Sequence, residues 1–263
     1  MLTRWHLGYE LRASEGGMTA RRMLTASNRR TTRVVISANV YNPNIAALAT
    51  AAGWSTGGKI DLIINSGVDV ARLEIPASIP NNTVSITNNG RIGGVSGGRP
   101  EAPTTGGTGL YVRSRVTLTN NGTIFGAGGR GGDGEGMRLC WGGDCHSANG
   151  GNGGRGAGFF STDGSWSIIE YQASAGAGNP GGTSTRTPTG YPGDSGSTIS
   201  AGRGGDGGAI GQPGQNGTSA STGGSYDSST PVARTTPGLA GCYVDGNSNI
   251  TWIATGTCIG RVI

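Results

Sequence analysis

The sequence predicts a mainly β and irregular protein. A small β-rich (α+β) unit leads into a glycine-rich bundle of polyglycine-II helices, and a C-terminal strand pair or hairpin closes the chain. Three observations lead there. Glycine supplies 54 of 263 residues, against a usual share of roughly 7%, and 43 of those glycines fall between residues 93 and 241. Leu, Ile, Val and Phe occupy about 31% of positions 34–92 but only about 11% of 93–241, too little for one continuous apolar core. Within the second stretch, glycine returns at every third residue, the repeat of an extended left-handed helix. The expected units are therefore a leader over 1–33, a β-rich domain over 34–92, the glycine domain over 93–241 and a closing element over 242–263.

The leader is basic. Seven arginines lie in the first 33 residues, and Lys59 is the single lysine of a chain with 20 basic side chains and a net charge of +5. Arginine suits bidentate contacts to carboxylate or phosphate more than diffuse attraction. Arg4, His6, Glu10, Arg12 and Glu15 interrupt the opening segment, which breaks any secretory apolar region, and no run of about 18 apolar residues is long enough to cross a membrane. The chain reads as soluble and unprocessed, with residues 1–33 as a basic leader, a cationic arm, or an attachment segment.

In the second unit, Tyr41-Asn-Pro-Asn44 reads as a turn into a short helix, Ile45 to Ala52, closed by Gly53. Strand-like runs follow at Lys59–Asn65, Val68–Ile75 and Thr83–Thr87, set apart by Gly67, by Pro76 and Pro80, and by Asn88-Asn89-Gly90.

A repeat joins this unit to the next. Thr83-Val-Ser-Ile-Thr-Asn-Asn-Gly90-Arg-Ile92 is echoed by Val116-Thr-Leu-Thr-Asn-Asn-Gly122-Thr-Ile124, and more weakly by Asn249-Ile-Thr-Trp-Ile-Ala-Thr-Gly256. Apolar and polar residues alternate before each turn, so each copy can lay an apolar face on its neighbour and build a sheet that brackets the glycine region.

Between the brackets, Gly202, Gly205, Gly208, Gly211, Gly214 and Gly217 hold strict triplet spacing, and Gly204 and Gly207 fill a second phase. The same spacing runs through Gly126, Gly129 and Gly132, and through Gly150, Gly153 and Gly156. A three-residue helix makes no internal hydrogen bonds, so its N–H and C=O groups must find partners on adjacent segments. Glycine opens a face for that close approach. Collagen is disfavoured because the runs are short, broken and poor in proline. The hexads Gly-Arg130-Gly-Gly-Asp133-Gly and Gly-Arg203-Gly-Gly-Asp206-Gly place each Arg and Asp on one ridge, where the charges can pair. A disordered Arg-Gly-Gly nucleic-acid binder is the competing reading of these stretches; the acidic partners and the scarcity of interleaved aromatics count against it.

Segments of different composition interrupt the glycine runs at 99–105, 137–148, 159–175, 183–192 and 219–237. If consecutive helices run antiparallel, alternate connections gather at one end of the bundle. Rigid rods that present aromatic and arginine side chains resemble a paratope. The candidate contact residues are Arg138, Trp141, Trp166, Tyr171, Arg186, Tyr191, Tyr226 and Arg234, while Phe159, Phe160, Ile168 and Ile169 suit either a small core or a surface.

The four cysteines allow two local disulfides, Cys140–Cys145 and Cys242–Cys258, with other pairings and free thiols also open. A zinc site on Cys140, Cys145 and His146 lacks a second ligand pair, so no metal is expected. With only His6 and His146 in the chain, a Ser-His-Asp arrangement has little material. Asp144, Asp163 and Glu170 are the candidate acids for a glycan-cleaving pair, but nothing in their spacing demands one and they read as solvated loop acids. No catalytic residue and no cofactor is assigned, and no phosphate loop is present, because Gly-Lys-Ser/Thr is absent.

The series Tyr41-Asn-Pro-Asn-Ile-Ala-Ala-Leu, the two Thr-Asn-Asn-Gly elements, the Gly-Gly-X stretches and the terminal Asn247-Ser-Asn-Ile-Thr-Trp-Ile-Ala-Thr-Gly256 resemble the distal receptor-binding portion of phage tail fibres and tail-tip host-specificity proteins. The glycine lattice with its loops is similar to the fibre-tip adhesins of T-even-type phages. The resemblance covers roughly residues 40–263. It implies a non-enzymatic virion component, assembled in the host cytoplasm, that joins another tail-fibre or tail-tip protein and binds a bacterial outer-membrane protein or surface glycan. Nucleic-acid binding and membrane insertion are not implied. A surface-glycan depolymerase using Glu170 is the alternative from another class.

Overall fold

Alternating residues set the first half of the chain winding. In the computed structural model, which describes residues 30–99 and 104–263, even-numbered Val34 and Ile36 turn inward while Arg33 and Val35 face out. Each later strand of the same sheet repeats that alternation. The leader expected over 1–33 falls outside the described residues as far as residue 29.

The first turn carries β1 (Thr31–Ile36), β2 (Val40–Tyr41) and α1 (Ile45–Ala51). Asn44 caps α1, its side chain accepting from the Ala47 N–H at 3.0 Å, and the helix stops at Gly53, whose φ of 91° suits glycine. Only Ile45 and Ala49 of α1 are buried. The second turn carries β3 (Lys59–Ile64), β4 (Asp69–Ala71) and β5 (Leu73–Ile75). The run expected as one strand from Val68 to Ile75 is bent into two at Arg72, which takes a left-handed φ of 59°, so β4 and β5 lie in different sheets. The third turn carries β6 (Val84–Asn88), β7 (Arg91–Gly93) and β8 (Leu110–Val112), and the fourth begins with β9 (Val116–Asn120) and β10 (Thr123–Phe125).

The repeat read in the sequence is the winding of this parallel solenoid. Val84 faces Val116 and Arg91 faces Thr123. The sheets pass through residue 92 without interruption, since β7 pairs with β10. Inside, Ile60, Leu62, Ile64, Ile86, Ile92, Leu110, Leu118 and Ile124 are fully buried, each contributing about 1.5–3 kcal/mol by leaving water.

After β10 the chain leaves the solenoid. It forms glycine segments joined by β11 (Gly136–Trp141), β12 (Asp144–Ala148), β13 (Gly158–Ser161), β14 (Ile169–Gln172), β15 (Thr183–Arg186), β16 (Ser197–Ser200), β17 (Ser221–Gly224) and β18 (Ser228–Val232). It then returns as β19 (Cys242–Asp245), β20 (Ile250–Ala254), β21 (Thr257–Ile259) and β22 (Arg261–Val262). No C-terminal hairpin forms. β20 pairs parallel with β9, β21 with β10 and β22 with β19, because the Ile250-Thr-Trp echo of Val116-Thr-Leu is recruited as one more turn of the solenoid.

The glycine segments bond laterally at every third residue. Gly128, Gly131 and Gly134 donate to the carbonyls of Ala157, Gly154 and Gly151; Gly151, Gly154 and Ala157 donate to Gly202, Gly205 and Gly208; these donate back to Glu135, Gly132 and Gly129. Three segments thus close a ring of main-chain bonds, the first two running antiparallel. Side chains have no room at the contacts. A Cβ on Gly128 would stand 1.9 Å from the Gly208 carbonyl oxygen, and one on Gly205 2.1 Å from that of Gln215. The two charged hexads cross-link the lattice. Arg130 pairs with Asp133 and Arg203 with Asp206, and each carboxylate also accepts a neighbouring segment's N–H, Gly153 at 2.8 Å and Gly178 at 2.9 Å.

Candidate functional site

Segment direction decides where each connection lies. Residues 126–135 run away from the solenoid and 149–157 run back, so 136–148 turns at the far end and 158–175 at the near end. By the same alternation 183–200 and 219–234 join 136–148 at the far end, while Ala209–Gln212 turns back beside the solenoid, where Gly211 donates to the Gly126 carbonyl.

Two three-stranded sheets build this far tip, one ordered β12-β11-β18 and the other β15-β16-β17. Leu139, Ala148 and Ile199 are buried between them. His146 bridges the seam, with Nδ1 2.9 Å from Ser184 Oγ and Nε2 2.9 Å from Ser197 Oγ. The β11–β12 turn uses Gly142 and Gly143, both at positive φ, and a Cys140–Cys145 disulfide clamps its base. Asp227 ties the neighbouring turn to it, accepting from the Gly142 N–H at 2.7 Å and donating its own N–H to the Cys140 carbonyl at 2.8 Å.

An ion pair orders the 183–200 connection. Arg186 grips Asp194 with two bonds of 2.6 and 3.0 Å, and both side chains are nearly sealed from solvent. Asp194 also accepts from the Thr189 hydroxyl and N–H and from the Gly196 N–H. The Arg186 guanidinium, helped by Thr189 and Gly196, holds the Asp194 carboxyl far below the ordinary carboxylate range. The closed loop leaves Tyr191 standing out, 73% exposed. Between it and the β11–β12 turn lies an open cavity of about 400 Å³ lined by Trp141, Gly142, Gly143, Asp144, Thr189 and Tyr191.

Of the residues singled out in the sequence, Arg138, Trp141, Arg186, Tyr191, Tyr226 and Arg234 lie at this tip. Arg138 is exposed on β11 and Tyr226 is 39% exposed, while Arg234 donates to the Gly217 carbonyl at 3.2 Å. Trp166 and Tyr171 do not join them. They lie on the near-end turn, where Trp166 stacks on Tyr41 with ring centroids 4.1 Å apart. Tyr171 packs with Phe125 and Phe159 beneath the Arg91 guanidinium. That turn seats the glycine segments against the solenoid, with Phe159 and Ile169 buried, Phe160 under Arg99 and Ile168 exposed. Asp163 shapes it by accepting from the hydroxyls of Ser161, Ser165 and Ser167, which lower its pKa.

The three acids considered for glycan cleavage do not converge, since Asp144 is at the tip and Asp163 and Glu170 are at the opposite end. The Cys242–Cys258 bridge is likewise absent. Cys242 is buried in β19, and Cys258 is half-buried in β21, donating to the Thr255 carbonyl; each serves its own strand of the solenoid core. The Asp194 partner of Arg186 escaped sequence reading, although the eight-residue spacing across a Pro-Thr-Gly-Tyr-Pro-Gly turn was the available signal.

No curated protein and no solved structure matches this chain. Residues 31–263 match the sequence pattern of one family, described as phage tail fibre adhesin Gp38. That span takes in every turn of the solenoid and the whole glycine region. The chain belongs to the phage tail fibre adhesin Gp38 family, a family of tail-fibre adhesins of the virion.

Proposed function

We propose that this adhesin contacts its bacterial receptor through the far tip, the loops of 136–148, 183–200 and 219–234, carried on a bundle of polyglycine-II helices. The observation that supports this most is the sorting of connections. Three loops carrying Trp141, Tyr191 and Tyr226 meet at the end farthest from the solenoid, on a rigid hydrogen-bonded support. Aromatic side chains supply large contact area at small entropic cost, and loops on a fixed scaffold can vary without unfolding it. The triplet bonding between glycine segments supports the polyglycine-II reading, because such helices satisfy their main chains only through neighbours. The solenoid turns of 34–92, at the other end, are the part that joins the fibre.

The test is adsorption of phage carrying Tyr191→Ala, Tyr226→Ala or, on the solenoid surface, Arg115→Ala. The tip variants are expected to adsorb about tenfold more slowly with the fold intact by circular dichroism, and the Arg115 variant to adsorb normally. Unchanged adsorption in both tip variants removes the proposal.

A further inference from the structure

The cavity between the β11–β12 turn and the 183–200 loop has two aromatic walls, Trp141 and Tyr191, with Asp144 and Thr189 as its polar lining. Its charge is unbalanced. Arg186 lies beside Trp141, its Cζ 5.8 Å from the ring centre, but its charge is consumed by the two-bond grip on Asp194. Among the described residues, Asp144 is the one charged residue in the cavity lining, and no cation lines the cavity opposite it. Asp227 is held by the Gly142 N–H. Asp144 takes part in none of the ion pairs among the described residues, and its exposed carboxylate lines the cavity.

Resting on the tip as the receptor-binding end, we propose that this cavity receives the guanidinium of an arginine side chain projecting from a bacterial surface protein. A flat cation stacks on aromatic faces and pairs with a carboxylate through two parallel N–H bonds; Trp141, Tyr191 and Asp144 offer those surfaces in one opening. A neutral sugar makes use of the rings but gains little from the charge excess.

The experiment titrates the isotope-labelled full chain with N-acetyl-arginine amide, with its neutral isostere N-acetyl-citrulline amide and with methyl N-acetylglucosaminide, following the Trp141 indole N–H by NMR. The arginine compound is expected to shift that resonance with millimolar affinity, about tenfold more tightly than the citrulline compound. Asp144→Asn, at an exposed turn position, is expected to remove that preference. Equal binding of the arginine and citrulline compounds, an undiminished preference in Asp144→Asn, or a response to the sugar alone overturns the guanidinium assignment. Adsorption separates the two levels: if Tyr191→Ala phage fail to adsorb while Asp144→Asn phage adsorb normally, the tip stands as receptor-binding end and the guanidinium assignment falls.

Discussion

Asn88 and Asn120 stack side chain on side chain in successive turns of the solenoid. Asn88 Nδ2 donates to Asn120 Oδ1 at 2.8 Å across a separation of 32 residues, and Asn120 Nδ2 donates onward to the Thr255 carbonyl at 2.6 Å. Both asparagines are fully buried. The ladder fixes the register in which β6, β9 and β20 stack, because a slip of one residue leaves these amides without partners. Asn120→Ala is therefore expected to cost about 1–3 kcal/mol, read as a lowered urea midpoint of the solenoid transition.

The glycine lattice predicts a position-specific intolerance of one methyl group. Gly128→Ala drives a Cβ into the Gly208 carbonyl and is expected to cost about 3 kcal/mol or more. Gly182→Ala, whose nearest neighbour is the Asn149 carbonyl oxygen at 3.4 Å, is expected to stay within about 1 kcal/mol of wild type. Amide exchange at Gly131, Gly154 and Gly205 should quicken in the first variant and not in the second.

Because the Asp194 carboxyl is held far below its ordinary range, its contribution to tip order is complete above about pH 4. It is lost only as the pH falls through the lower value of the folded state. Slow exchange of the Thr189 and Gly196 amides is expected to persist at about pH 4, whereas Asp194→Asn should abolish it at neutral pH and slow adsorption with it.

Reducing the Cys140–Cys145 bridge releases the turn that carries Trp141. Loss of a clamp closing so short a loop weakens the tip by about 2 kcal/mol. Phage treated with dithiothreitol are expected to adsorb more slowly, as are Cys140→Ser/Cys145→Ser phage, while the solenoid's melting temperature is unchanged.

Much of this architecture is legible in the residues, and the failures have physical causes. The 32-residue echo of Asn-Asn-Gly became the stacking of β6 on β9, because identical patterns of inward apolar side chains want identical positions. The Arg-Gly-Gly-Asp hexads became ridge ion pairs because three-residue spacing alone sets that geometry. The C-terminal echo was legible as a repeat but not as a parallel strand: its partner lies on the far side of the entire glycine excursion, and alternation is the same in a hairpin. Trp166 and Tyr171 look like loop aromatics locally. Only the alternating direction of the segments sends their turn to the solenoid, against Tyr41 and Phe125.

The account depends on host recognition residing in the three tip loops rather than in the scaffold. Exchanging residues 137–148, 183–200 and 219–234 together for those of an adhesin with a different host, and plating the recombinant phage on both hosts, tests this directly. Host range is expected to follow the loops. Host range that stays with the glycine segments and solenoid contradicts the account.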